Sequence, residues 1–269
     1  MRKERDILVV DDEPVVTQAV ERICTAEGLT VDSAYRGGAG LALLDERVYR
    51  LVVCDIMMAE VDGFAFLAEA AKKGVRTPII MTTGYSTVEN AVRSLSCGAI
   101  DFIAKPFTAD ELLGVVRRGL KYDEIMRETV PPAAARHAPA CLAYVPCPAK
   151  YDRLGYVSWT VMEERGTALL GVSDLFLKTI GGPARIKLLD VDDEVFQGQT
   201  CASIGSSDGA EHPVMCPISG RVVAANSDAV ADPAIVEKDP YFAGWLYRVL
   251  PTDPAADLPH LTSCSSDRM

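Results

Sequence analysis

The sequence has no apolar run approaching the ~20 residues that a membrane-spanning helix needs. Its eight cysteines include no Cys-x-x-Cys pair, and Cys141 and Cys147 have no histidine at zinc-ligand spacing. The N-terminus turns acidic before any secretory apolar region could form. We therefore expect a cytoplasmic protein with mostly free thiols, no membrane partner and no metal in its second half.

Basic charge is also in short supply. The formal net charge is −11, and acidic residues outnumber basic ones by four over residues 1–127 and by seven over residues 128–269. Because an acidic surface repels a phosphate backbone, we expect no nucleic-acid partner.

The length of 269 residues suffices for two domains. Residues 1–127 alternate apolar β-type runs with helical stretches, whereas residues 141–252 place frequent Gly and Asp turns between short β-type runs. Residues 128–140 are rich in Pro and Ala and are predicted to be a linker. Residues 253–269 are polar and are predicted to be a flexible tail.

Buried β-type runs in the first half predict strands at DILVV, TVDSA, LVVCD, TPIIMTT and AIDFIAK. A helical stretch follows each run, and Gly28, Gly74 and Gly98 are typical helix-ending glycines. Strands and helices in alternation predict an α/β domain, a flavodoxin-like doubly wound sheet of five parallel strands with helices on both faces.

Acidic residues stand at two of the predicted strand ends. Asp11 and Asp12 end the first strand and Asp55 ends the third, at the edge where open α/β sheets bind ligands. Three converging carboxylates repel one another, and Mg²⁺ would relieve that repulsion. An Asp beside Mg²⁺ can accept a phosphoryl group, for which Thr83 offers a hydroxyl and Lys105 an ammonium.

The motifs ILVVDDEP, VVCDIMMAEVDGF, PIIMTTGYS and GAIDFIAKPF resemble the receiver domain of two-component response regulators, over residues 6 to about 122. The resemblance implies that Asp55 accepts phosphate from a sensor histidine kinase. It further implies a site made of Asp11, Asp12, Asp55 and the Met57 carbonyl for Mg²⁺, Lys105 for the phosphate, and Thr83 with Phe102 as the switch pair. Such a domain removes its own phosphate and is not otherwise an enzyme.

One position departs from that pattern, because Ala59 stands where the family usually has proline. We expect a looser loop and a competent site.

The last helix of the first domain is predicted to reach Met126. Its apolar side chains are Leu112, Leu113, Val115, Val116 and Leu120. They could pack into the core alone, or they could also form a homodimer surface that responds to phosphorylation.

The stretch QTCASIGSSDGAEHPVMCPISGRV predicts a β-hairpin in the second domain, with Asp208-Gly209 as a two-residue turn. That register would place Ile204 opposite Pro213 and Cys201 opposite Cys216. A disulfide between these cysteines is conceivable, but two packed thiols are the simpler interpretation. His212 beside the hairpin is expected to be a solvated surface side chain.

The motifs LLGVSD, VDDEVFQGQTCASI, CPISGRVVAAN and EKDPYFAGWLYRV resemble the H protein of the glycine cleavage system, a member of the lipoyl-domain family. The resemblance implies a mostly-β fold of the lipoyl, barrel-sandwich type. It also implies a lysine at the hairpin tip that carries lipoate. In that family the lysine precedes a Pro-x-Ser-Gly turn by a fixed interval, and this interval counted back from Pro217 gives Gly209. The tip Asp208-Gly209 therefore has no such lysine, and Lys178, Lys187 and Lys238 are distant from it in sequence.

We therefore expect a response regulator whose Asp55 controls a non-lipoylated protein-docking domain with an unknown partner. Two alternatives remain open. The second domain could regulate glycine-cleavage or lipoate-handling enzymes as a decoy, or the receiver could be a phosphate sink with an inert appendage.

Overall fold

The computed structural model describes residues 4–84, 87–129 and 143–265. The chain divides into two compact units, residues 1–141 and 142–269. From residue 130 onwards the predicted linker lies outside the described residues, and residues 128 and 129 belong to the last helix of the first unit.

The first unit is a five-stranded parallel sheet with five helices. Its strands are β1 (Glu4–Val10), β2 (Val31–Ala34), β3 (Val48–Asp55), β4 (Ile79–Thr83) and β5 (Asp101–Ala104). Its helices are α1 (Pro14–Ala26), α2 (Gly37–Glu46), α3 (Gly63–Lys72), α4 (Val88–Ser96) and α5 (Ala109–Thr129). The sheet order β2-β1-β3-β4-β5, parallel throughout, confirms the predicted doubly wound fold.

Local sequence signals set the helix ends. Gly28, Gly74 and Gly98 have φ angles of 80°, 71° and 101°, which side chains with a Cβ rarely adopt. At the other end, the side chains of Asp62 and Thr87 accept hydrogen bonds from the first-turn amides of α3 and α4. The β-type runs lie between these helix ends and form the strands.

Helix α5 ends at Thr129, three residues beyond the predicted Met126. Leu112, Val115 and Val116 are buried, as the core interpretation predicts, while Leu113 and Leu120 are half-buried. The homodimer stays a prediction.

The second unit is built from antiparallel sheets. Its strands are β6 (Asp152–Leu154), β7 (Ser158–Met162), β8 (Ala168–Val172), β9 (Arg185–Leu188), β10 (Glu194–Val195), β11 (Thr200–Gly205), β12 (Glu211–Met215), β13 (Gly220–Ala225), β14 (Tyr247–Pro251) and β15 (Thr262–Ser263). Its helices are α6 (Asp174–Thr179), α7 (Ser227–Ala231), α8 (Ala234–Lys238) and α9 (Pro254–Asp257), followed by a 3₁₀ turn (Leu258–His260). One sheet has the order β10-β13-β14-β8-β7-β6-β15 and the other β12-β11-β9.

An aromatic cluster fills one part of this unit. Trp159 is fully buried, and its indole N–H donates to the Val172 carbonyl at 2.9 Å. A Cβ on Gly171 would lie 2.6 Å from the Trp159 ring, so only glycine fits there. Tyr151 and Tyr241 pack on the same ring at centroid distances of 4.9 and 6.1 Å.

The flexible tail predicted from residue 253 is wrong as far as residue 265. Strand β15 pairs with β6, and the Asp257 carboxylate accepts from the Ser219 amide at 2.6 Å. The Gln197 side chain donates to the Asp257 carbonyl at 2.9 Å. These partners are distant in sequence, so a polar composition concealed them. Residues 266–269 lie outside the described residues.

Candidate functional site

Strands β1 and β3 bring the acidic residues together. The strands are parallel neighbours with Val10 opposite Cys54, so Asp11, Asp12 and Asp55 emerge at one edge. Ligand oxygens of these three residues lie within 4.8 Å of one another. Asp11 and Asp55 are buried and Asp12 is exposed, so the cluster has one side open to solvent.

Lys105, after β5, reaches into this cluster. Its ammonium nitrogen lies 2.7 Å from Asp11 Oδ2 and 3.1 Å from Asp55 Oδ1. It also donates to Glu13 Oε1 at 3.1 Å. The sequence reasoning missed Glu13, although its position directly after the Asp pair was a signal that it could join the site.

Burial and neighbouring charges have opposite effects on the pKa values of these residues. Burial raises the pKa of both Asp11 and Asp55, and Lys105 opposes that rise. For Lys105 itself, burial favours a lower pKa, but the close carboxylates of Asp11 and Asp55 outweigh it and raise the pKa. Lys105 is therefore a permanent cation at neutral pH.

The donor set fits Mg²⁺. Asp11 Oδ2 and Asp55 Oδ1 are buried without a hydrogen-bond donor in good geometry among the described residues, so Lys105 acts on them as a nearby charge. Carboxylate oxygens in such a position are the ligands that a hard divalent cation prefers. The residues that would hold it are Asp11, Asp12 and Asp55.

The remaining predicted receiver residues lie in β4 and β5 or in the loop after β3. Thr83 ends β4 fully buried, and its carbonyl accepts from the Lys105 amide at 2.8 Å. Phe102 lies in β5, partly buried against the core. Met57 follows β3 by two residues and its side chain is 56% exposed. In the same loop a Cβ on Gly63 would lie 2.4 Å from the Asp55 carbonyl, so glycine permits the close turn into α3.

At the second predicted site, the hairpin exists but its register differs by one residue. Ile204 lies opposite His212, and Ser203 opposite Pro213. The Ser206 amide donates to the Ala210 carbonyl at 2.9 Å, which leaves a three-residue loop rather than a two-residue turn. Gly209 has a φ of 89°, the left-handed conformation common at the end of such loops.

A closed hydrogen-bond network occupies the tip. The Ser206 hydroxyl donates to Asp208 Oδ1 at 2.5 Å and lies 3.0 Å from His212 Nε2. Because the single hydroxyl proton goes to Asp208, His212 Nε2 must carry the proton of the second bond. Asp208 also accepts from the Ala210 amide at 3.1 Å. His212 is 6% exposed, so the expected solvated histidine is wrong.

Lys187 lies closer to the tip than its sequence position indicated. Strand β9 pairs with β11, and the Lys187 ammonium lies 3.3 Å from the carboxylate of Glu211, next to the loop. The Ser203 hydroxyl and the Arg185 guanidinium bond the same carboxylate, and they lower the pKa of Glu211 to about 2.

The predicted pairing of Cys201 with Cys216 is also altered. A bulge between Thr200 and Ala202 takes Cys201 out of the ladder, and the Cys216 amide donates to Gln199 instead. Both cysteines are buried free thiols, and a hydrogen bond between them together with burial raises the pKa of Cys201.

Both halves of the chain match known protein families. Residues 7–117 match the response regulator receiver domain, and residues 150–266 match the glycine cleavage H-protein. The chain joins a receiver domain to a glycine cleavage H-protein domain. The second match extends to residue 266 and so includes most of the residues predicted from composition to be a tail.

The curated relatives resemble part of the chain. The transcriptional regulatory protein TcrA of Mycobacterium tuberculosis is 40% identical over 111 residues, 41% of this chain and 44% of TcrA. The transcriptional regulatory protein ZraR of Salmonella typhimurium is 36% identical over 135 residues, 50% of this chain and 31% of ZraR. The chain thus spans about a third of the length of ZraR.

Solved structures resemble each half. The receiver domain of NtrX from Brucella abortus is 40% identical, with 43% of this chain and 98% of that one covered and a TM-score of 0.41. A glycine cleavage system H protein from Mycobacterium marinum is 27% identical, with 45% and 94% covered and a TM-score of 0.40. No helix among the described residues is long and apolar enough to cross a membrane.

Proposed function

We propose that this receiver–H-protein chain is a phosphorelay response regulator whose Asp55 accepts a phosphoryl group from a sensor histidine kinase. The observation that carries the proposal is the convergence of Asp11, Asp12, Asp55 and Lys105 at one sheet edge. Three carboxylates and one ammonium suit the transfer of a charged phosphoryl group to a carboxylate.

In this reaction an Asp55 carboxylate oxygen attacks phosphorus while the bond from phosphorus to the kinase histidine breaks. Asp11, Asp12, Asp55 and the Met57 carbonyl would hold Mg²⁺, which offsets negative charge on the phosphoryl oxygens when bound. Lys105 already lies 3.1 Å from the Asp55 carboxylate and needs only a short movement to pair with the new phosphate.

The phosphorylated state would then differ at Thr83 and Phe102. The Thr83 hydroxyl would donate to a phosphoryl oxygen, and Phe102, which is only partly buried, would repack into the space this leaves. We propose no further enzymatic activity than removal of the receiver's own phosphate.

We propose that the output is protein docking by an H-protein domain without lipoate. The sequence supports this because the tip holds Asp208-Gly209, and the geometry supports it because Ser206 and His212 close the loop in a compact network. A rigid tip without a swinging arm suits binding better than group transfer.

The test is phosphorylation of the full chain by a small-molecule phosphodonor with Mg²⁺, followed by intact mass. We expect one added phosphoryl group in wild type and in Asp45→Asn, a surface control, and none in Asp55→Asn. Partner binding in native extract should change with phosphodonor for wild type and Asp45→Asn but not for Asp55→Asn. Phosphorylation of Asp55→Asn at the wild-type level would refute the site.

The match of residues 150–266 to the H-protein favours one alternative, a decoy or regulator of glycine-cleavage or lipoate-handling enzymes. Incubation with a lipoate ligase tests whether the domain carries lipoate. An unchanged mass supports the docking proposal, whereas an added lipoyl group would return the domain to group transfer. Binding partners that are the same with and without phosphodonor would instead favour a phosphate sink with an inert appendage.

A further inference from the structure

The first unit has a second concave site, far from the phosphoacceptor. A cavity of about 680 Å³ opens between the start of β3, the loop before β4 and the last turns of α5. Val48 begins β3 and Asp55 ends it, so the two sites are separated by seven strand residues, about 23 Å. The volume lies in the range of small-molecule pockets.

Apolar and aromatic groups form much of the wall. Tyr122 and Met126 project from α5 and are half-buried, while Val48 contributes an exposed aliphatic side chain from β3. At Gly74 an added Cβ would meet nothing within 4 Å, so this side of the cavity is open. Such walls fit a flat apolar body.

The charged groups of the lining leave one cation in excess. Asp123 is engaged by Arg127, whose Nε lies 2.8 Å from its carboxylate, and Arg127 also bonds Glu4. Arg50 lies 3.6 Å from the same Asp123 carboxylate. Arg76 is exposed and makes no ion pair among the described residues. A planar guanidinium without a partner beside an apolar wall favours a carboxylate.

We propose that this cavity binds a small organic anion of the aromatic carboxylate class, with the carboxylate on Arg76 and the ring against Tyr122 and Met126. The site is independent of the phosphoryl transfer proposed above. It includes the last turns of α5, so an occupant would contact the helix that ends the first unit.

Two probes of the same shape test the charge. 1-Naphthoate has the carboxylate and naphthalene-1-carboxamide lacks the charge, and both are titrated calorimetrically into the full chain. We expect naphthoate to bind about tenfold tighter than the amide, because a hydrogen bond to a charged partner contributes at least that factor. Arg76→Ala should remove this preference. The control is Arg117→Ala, because Arg117 is an exposed arginine of helix α5 that pairs with Glu27, and this variant should keep the preference.

The position is tested by NMR of methyl-labelled methionine. Naphthoate should shift the Met126 methyl resonance and leave that of Met81, buried in the sheet core, unchanged. Absence of naphthoate binding to wild type, equal binding by Arg76→Ala, or a shift confined to methyl groups other than Met126 would each overturn the proposal.

Discussion

The receiver site and the hairpin tip show two different relations between a fold and its chemistry. At the receiver edge, three strands and the segment after the fifth bring together the groups that the proposed phosphoryl transfer would use, and the Lys105 ammonium lies beside the buried oxygens of Asp11 and Asp55. At the tip, the hairpin is present, and Gly209 stands where the resemblance implies a carrier lysine. The fold alone therefore does not give the function of this unit, which has to be argued from its side chains.

The largest effect is expected from placing a lysine at the hairpin tip. Gly209→Lys should accept a lipoyl group from lipoate ligase when wild type does not. Asp208→Lys is the second variant, because a side chain at position 209 is strained by the φ of 89°. Intact mass measures the outcome, and Lys187→Arg removes the nearest alternative lysine. Failure of both variants would mean that more than the lysine has been lost.

Next in size is the response of the receiver to Asp55→Asn. Because the folded state raises the pKa of Asp55, its contribution to stability is complete below about pH 4 and is lost as pH rises through the folded pKa. The variant should therefore be more stable than wild type at pH 7, and the difference should disappear as the pH falls below about 4. Mg²⁺ should stabilise wild type more than the variant.

Urea unfolding followed by circular dichroism measures this change. Both tryptophans, Trp159 and Trp245, belong to the second unit, so the tryptophan fluorescence transition is an internal reference that should not move. A variant that is less stable than wild type at pH 7 would contradict the burial argument.

A smaller effect is expected at the tip network. Ser206→Ala removes the hydroxyl between Asp208 and His212 and should destabilise the hairpin by about 1 kcal/mol. Hydrogen exchange of the loop amides should become faster, while phosphorylation stays at the wild-type level. Ser207→Ala, an exposed neighbour, is the control. Equal exchange in both variants would remove the network from the account.

The smallest effect concerns Glu13. Its carboxylate is 62% exposed, so its pair with Lys105 is screened by solvent. Glu13→Gln should change unfolding free energy by less than about 0.5 kcal/mol and leave Mg²⁺-dependent phosphorylation intact. A complete loss of phosphorylation would instead make Glu13 part of the required site.

Sequence predicted the receiver well because each relevant signal is local. Strand ends, glycine stops and the order of elements place Asp11, Asp55 and Lys105 at one edge without any distance information. The contact of Glu13 with Lys105 was not predicted, because acidic residues are common on protein surfaces.

The second unit was harder because its decisive features are not local. The hairpin register depends on a bulge at Cys201 and on a three-residue loop, and neither is visible in the residue pattern. Strand pairing brings Lys187 close to the hairpin loop, although 15 residues of chain separate it from its partner Ser203. Asp257 is ordered by contacts with Ser219 and Gln197, far back in the sequence.

The pairing of β15 with β6 has a consequence for ancestry. The second unit begins and ends on neighbouring strands, and the Cys264 amide donates to the Tyr151 carbonyl at 2.9 Å. A module whose entry and exit are adjacent can be fused or inserted without disturbing its interior. Fusion to another domain is therefore compatible with an unchanged interior, so the ancestry of the first unit and that of the hairpin tip can differ within one chain.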